Sequence, residues 1–114
     1  MKILNITRGT ELASRARLAN RPWSRGWGLL GRARLEDGEG LILEPCSSIH
    51  TAFMRFTMDV LFADRTGMVV KAVPSLKPFR LSGALRARYT LELPPGTIAR
   101  TGTLAGDLLS FEEP

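Results

Sequence analysis

One cysteine and one histidine, Cys46 and His50, are the whole supply of thiol and imidazole in 114 residues. A lone thiol closes no internal disulfide, so packing alone must hold the fold, as suits a reducing compartment. The same scarcity bears on metals. Structural zinc takes four ligands, normally Cys or His, and Cys46, His50 and Asp59 offer three of mixed type. No metal site and no cofactor are expected. Long apolar runs are missing too: none approaches the roughly 20 residues of a membrane-crossing helix. The first residues, Met1 to Arg8, lack the apolar stretch of a secretory signal. The expectation is a cytoplasmic protein with no membrane association. No repeat, low-complexity tract or linker interrupts the chain, and its length suits a single domain over 1–114.

Acidic residues are scarce in the first third. Residues 1–34 hold eight Lys and Arg against Glu11 alone, whereas the other eighty hold eight basic and ten acidic side chains. The excess positive charge of +5 therefore originates at the N-terminal end, mostly as Arg, whose planar fork fits phosphate and carboxylate. One meaning is a face for nucleic acid or another anion. The stronger reading is a solvated, Arg-rich surface, because charge alone identifies a partner poorly.

Periodicity suggests an α+β domain, mainly antiparallel β. Ile3, Leu4 and Ile6 mark a short first strand. Leu12, Ala13, Ala16 and Ala19 recur at helical spacing after Thr10, a capping residue, and before Pro22, which predicts an N-terminal helix over Glu11 to Ala19. Trp23 to Gly31 mixes two tryptophans with three glycines and reads as a short helix or tight loop packed on a sheet; it has no phosphate-loop ending. Leu41 to Glu44 forms a strand stopped by Pro45. Met54, Phe56, Met58, Val60 and Phe62 alternate with Phe53, Arg55, Thr57, Asp59 and Leu61, giving a strand with one wholly apolar face. A turn at Asp64 to Gly67 returns the chain as a partner strand from Met68 to Val73, ended by Pro74. Leu81 to Ala87 is a loop or frayed strand. Tyr89 to Leu93 is another strand, Thr97 to Gly102 a helical turn closed by glycine, and Leu108 to Phe111 the last strand. The sheet is expected to be small and barrel-like or a sandwich.

Reactive side chains are dense only between Pro45 and Val60. A Cys46 nucleophile with His50 as base needs hydrogen-bond contact. Four residues of extended chain separate such a pair by about 13 Å, so the spacing leans against a dyad and towards a small packed cysteine. Arg55 and Asp59 belong to the face opposite the methionines. Structural partners would suffice there: backbone or hydroxyl donors for Asp59, and Glu92 or Asp107 for Arg55. The sharper reading is an anion-binding pocket of His50, Arg55 and Asp59, with Asp107 as a further candidate.

The run Pro45-Cys46-Ser47-Ser48-Ile49-His50-Thr51, followed by Phe53-Met54-Arg55-Phe56 and Asp59-Val60-Leu61-Phe62, resembles a bacterial and archaeal family, domain of unknown function 192. Gly28 to Gly31, Gly67, Lys77 to Arg80, Leu91 to Gly96 and Gly106-Asp107 agree with it in order, so the likeness covers about residues 23–111. It implies a compact β-rich domain with short helices, whose characteristic positions fall on Met54, Asp59, Gly67 and Asp107, with Cys46 and His50 typical of a subgroup. Thr57 stands where the family commonly has proline. The resemblance carries over no catalytic residue and leaves open whether the chain is an enzyme. The leading functional expectation is therefore binding of a small anionic ligand beside the central hairpin. A small enzyme using Cys46 or His50, and nucleic-acid binding through the N-terminal third, stand as alternatives.

Overall fold

In the computed structural model, residues 1–19, 35–51 and 55–113 are described. Among the described residues, ten strands and one helical turn follow in order: β1 Lys2–Asn5, β2 Thr10–Ala13, β3 Arg15–Ala19, β4 Glu39–Leu43, β5 Ser48–His50, β6 Met58–Ala63, β7 Val69–Leu76, β8 Leu81–Gly83, β9 Tyr89–Leu93, α1 Thr97–Thr101 and β10 Leu109–Glu112. They make three open sheets, with strand orders β10-β1-β2, β3-β4-β9-β6-β7 and β5-β8. All pairings are antiparallel except β3 with β4.

The five-stranded sheet is buried on both sides. Its first face joins Ile42, Leu61, Leu91 and Leu93 to Ile3 and Leu12 of the three-stranded sheet. Its second face joins Leu41, Leu43, Val60 and Phe62 to Cys46, Ile49, Ala84 and Ala87 around the β5–β8 pair. Double coverage explains why every residue of β6 is buried, a pattern more familiar from the centre of parallel sheets. The layers are mostly β and do not close into a barrel.

The expected N-terminal helix is absent: Thr10–Ala13 and Arg15–Ala19 are strands. The small side chains spaced three and four apart suit a helix stripe, but here the chain breaks at Ser14, where the amides of Ser14 and Arg15 both donate to the Gly38 carbonyl. Ala16 packs into the first core and Ala19 into the second. Backbone partners supplied by β1 and β4 override local propensity. Thr10 caps nothing; its hydroxyl donates to the Thr101 carbonyl.

Two boundaries also move. The central strand begins at Met58, so Arg55 and Thr57 precede it. Its partner continues through Pro74 to Leu76, which an edge strand tolerates because no ladder donor is lost at a bulge. The register runs Met58 to Leu76 but Val60 to Val73, so β7 carries one extra residue here, and Ser75 within the bulge has φ 54°. The readings of Trp23 to Gly31, and of Phe53 and Met54, fall outside the described residues.

The 64–67 turn, α1 and the last strand match expectation. The Asp64 carboxylate accepts the Thr66 hydroxyl and the amides of Thr66 and Met68, and the Thr66 hydroxyl leads in holding it below its ordinary range. Gly67 follows at φ 93°, where a Cβ would meet the Leu109 carbonyl oxygen at 2.7 Å. Gly67→Ala is expected to destabilise the domain by about 2–4 kcal/mol, combining left-handed strain with displacement of β10. Urea unfolding would read this as a lower midpoint at unchanged slope.

Candidate functional site

Of the four candidate residues, two are bound into the structure. Asp59 is fully buried on β6. One carboxyl oxygen accepts the Ser75 amide at 2.9 Å and the other accepts the Ile98 amide at 2.8 Å. It thus ties the β7 bulge to the first turn of α1, satisfying two amides that have left the regular ladders. Asp107 does similar work near the chain ends: one oxygen accepts Asn5 Nδ2, Arg8 Nε and the Leu104 amide, each at 3.0 Å. The Arg8 hydrogen bond, with that of Asn5, holds its carboxyl at about 2, below the ordinary 3.8.

A depressed carboxyl contributes stability above about pH 4 and loses it as pH falls towards 2. Asp107→Asn keeps an oxygen for the three donors but removes its charge, so the variant is expected to be less stable at pH 7 and to lose part of the acid limb. Melting temperatures from pH 2 to 7 would show the two profiles converging at the acid end.

His50 and Arg55 are exposed. His50 sits on β5 opposite Leu81, and Arg55 lies in the segment leading to β6. Among the described residues no hydrogen bond or ion pair links any two of the four candidates. Arg55 does not pair with Glu92 or Asp107; Asp107 takes Arg8 instead. Cys46 is half-buried against the second core, and its thiol donates to the Ser48 carbonyl at 3.2 Å. Because Ile49 packs inward from β5, the alternation of a strand sends His50 to the other side.

Glu92 emerges instead, from a position the sequence assigns to the polar side of β9. It lies between Leu41 and Val60 in the sheet register, on the second face, and is only 7% exposed. Its carboxyl has no hydrogen-bond partner among the described residues, and burial alone pushes it up to about 7. Thr90, next on the same face, is satisfied by the Cys46 carbonyl at 2.9 Å. Neither oxygen is wholly shut from solvent, but burying so much of a carboxyl without a protein donor still costs stability, and retained costs of this kind concentrate at functional sites. Alternation with Tyr89, Leu91 and Leu93 was the one signal of its face; nothing local in the sequence shows that face to be covered.

The N-terminal cations are partly occupied as well. Arg8 pairs with Asp107, and Arg15 donates to the Asp37 carbonyl at 2.7 Å. Arg21, Arg25, Arg32 and Arg34 lie outside the described residues. No described helix is long and apolar enough to cross a membrane.

The arrangement has known counterparts. A protein of unknown function from Novosphingobium aromaticivorans shares the fold at TM-score 0.82 and 21% identity, over 96% of this chain and 82% of the other. A Sinorhizobium meliloti protein described as a "putative transcription regulator" does so at 0.81 and 21%, over 96% and 89%. At that identity the likeness concerns the fold. No curated protein matches the chain. The family model of DUF192, described as Uncharacterized ACR, matches residues 4–111, nearly the whole chain and further towards the N-terminus than the motifs alone reach. The chain belongs to the DUF192 family, whose function is not established.

Proposed function

We propose that this domain binds a small molecule on the second face of its five-stranded sheet, with the Glu92 carboxyl as the recognition group. The observation that carries the reading is the burial of Glu92 between Leu41 and Val60, its carboxyl without a hydrogen-bond partner among the described residues and its oxygens still in slight contact with solvent. A neutral carboxyl both donates and accepts, so it suits a ligand with a carboxylate, carbonyl or hydroxyl group. An anionic ligand remains the preferred class, with exposed Arg55 supplying positive charge on the segment that leads into β6; His50, on the outer side of β5, takes no part in this reading. Asp59 and Asp107 then serve as structural ties, as their backbone and side-chain donors suggest. A cytoplasmic setting fits the single, half-buried thiol of Cys46.

Thermal-shift screening of carboxylate and phosphate metabolites against wild type, Glu92→Leu and Arg55→Ala tests this. The expected result is a ligand that raises the melting temperature of wild type, does so less for Arg55→Ala, and has no effect on Glu92→Leu. A ligand that stabilises Glu92→Leu as much as wild type would sink the assignment of Glu92, and a panel with no response would count against the binding role.

A further inference from the structure

The outer side of the β5–β8 pair has a composition unlike the rest of the molecule. Residues 45–58 and 74–91, which carry both strands and their flanks, contain Arg55, Lys77, Arg80, Arg86, Arg88 and His50 but no Asp or Glu; Arg88 pairs with Glu44, just before this stretch, at 3.3 Å. The three most exposed large hydrophobic side chains among the described residues lie in the same stretch: Phe79 at 74%, Leu81 at 79% and Leu85 at 103%, whereas the other five lie between 41% and 56%. Leu81 is opposite His50 in the ladder, and both face away from the core that holds Ile49.

Phe79 is displayed at a cost. Its φ is 61°, in the left-handed region that a phenylalanine rarely enters. Thr51, fully buried, holds it there: the Phe79 amide donates to the Thr51 carbonyl at 2.9 Å, the Arg80 amide donates to the Thr51 hydroxyl at 2.8 Å, and that hydroxyl donates to the Lys77 carbonyl at 2.7 Å. A strained backbone anchored by a buried hydroxyl thus leaves a phenyl ring in water, beside Lys77 and Arg80, both exposed. Leu85 stands on the turn after β8, closed by the Ala87 amide on the Ala84 carbonyl, with Arg86 next to it.

We propose that this face docks on an anionic lipid bilayer, with Phe79, Leu81 and Leu85 entering the boundary between headgroups and acyl chains and Lys77, Arg80 and Arg86 meeting the lipid phosphates. Apolar tips ringed by cations are what such a boundary takes up. The shape favours lipid over protein, because Phe79 and Leu81 protrude from a loop and a strand edge, and Leu85, at the rim of a shallow cleft with Ser47, Ser48, Gly83 and Ala84, projects fully into solvent. A second copy would bring the same positive charge against itself. A single-stranded nucleic acid would need stacking rings, and two of the three tips are aliphatic. The expectation of no membrane association rested on the lack of a spanning segment, and peripheral docking needs none.

Co-sedimentation of the full chain with vesicles tests the proposal. Wild type is expected to pellet with phosphatidylcholine vesicles containing phosphatidylglycerol, far less with phosphatidylcholine alone, and less as salt rises. The Phe79→Ser/Leu81→Ser/Leu85→Ser variant should partition about a hundredfold less, and Arg80→Gln/Arg86→Gln about twenty-fivefold less, at about fivefold per cation. All of these side chains are exposed, so circular dichroism and melting temperature should match wild type, and Leu85→Ser alone gives a smaller loss on an intact background. Failure of wild type to pellet at low salt, unchanged binding by the triple variant, or retention on single-stranded DNA or polyglutamate without vesicle binding would each overturn it.

Discussion

Glu92→Leu is expected to be more stable than wild type, and the difference to grow with pH. Leucine fills a similar volume and needs no hydrogen bond, so exchanging a buried, unpartnered carboxyl for it removes a desolvation cost of about 1–3 kcal/mol. The pH dependence has a definite sign. The Glu92 carboxyl titrates at about 7 in the fold against 4.5 when exposed. Between those values the folded state holds a proton that the unfolded state has released. Stability is therefore greatest below about pH 4.5 and falls as pH rises through 7. A shift of that size corresponds to roughly 3 kcal/mol at most, so wild type should lose stability across neutral pH while Glu92→Leu does not. Glu92→Gln separates the two effects: it abolishes the slope but keeps a polar group buried. Urea titrations of the three proteins from pH 5 to 8 measure this. Parallel pH profiles for wild type and Glu92→Leu would show that the slight solvent contact of the carboxyl is enough to keep its ordinary titration. A variant that is more stable yet no longer binds would fit a site kept at the expense of stability.

Asp59→Ala should be the most damaging single change at a charged position. Removing the carboxyl leaves the Ser75 and Ile98 amides without an acceptor and opens space beside Leu93, its neighbour in the register. A loss of about 3–5 kcal/mol is expected, a large part of the 5–15 kcal/mol that typically holds a domain. Asp59→Asn should rescue little. Each carboxyl oxygen accepts from a different amide, so one of them would confront the new NH2 group, a donor facing a donor. Hydrogen exchange at Ser75 and Ile98 offers a local reading, since both amides should lose protection more than those of β4 and β9. Near-wild-type stability of Asp59→Asn would mean that only one of the two contacts matters.

These two carboxyls show where sequence reasoning reaches and where it stops. Asp59 is conspicuous in the chain, as an aspartate within Met58 to Ala63 and inside a family motif, and donors were expected for it. Which donors these are depends on a bulge sixteen residues later and a helical turn thirty-nine residues later. Glu92 reads as an ordinary outward residue of an alternating strand. Alternation tells which side chains share a face, but it is silent on whether another layer covers that face. The cover comes from Cys46, Ile49, Ala84 and Ala87, a set dispersed along the chain with no shared periodicity.

The sequence by itself determined the elements whose causes are local. The Asp64 to Gly67 turn has an aspartate to bind its own amides and a glycine at φ 93°. The helical turn at Thr97–Thr101 closes on Gly102 in the left-handed conformation. The β9 and β10 alternations, and the family motifs, belong to the same class. Tertiary structure alone decided the rest. It turned a helical spacing into β2 and β3, because their backbone groups find partners on β1 and β4. It carried β7 past Pro74, because that strand is an edge. It buried Glu92 while leaving Phe79, Leu81 and Leu85 in water, because burial depends on which distant segments meet, and the pattern within any one segment does not encode that meeting.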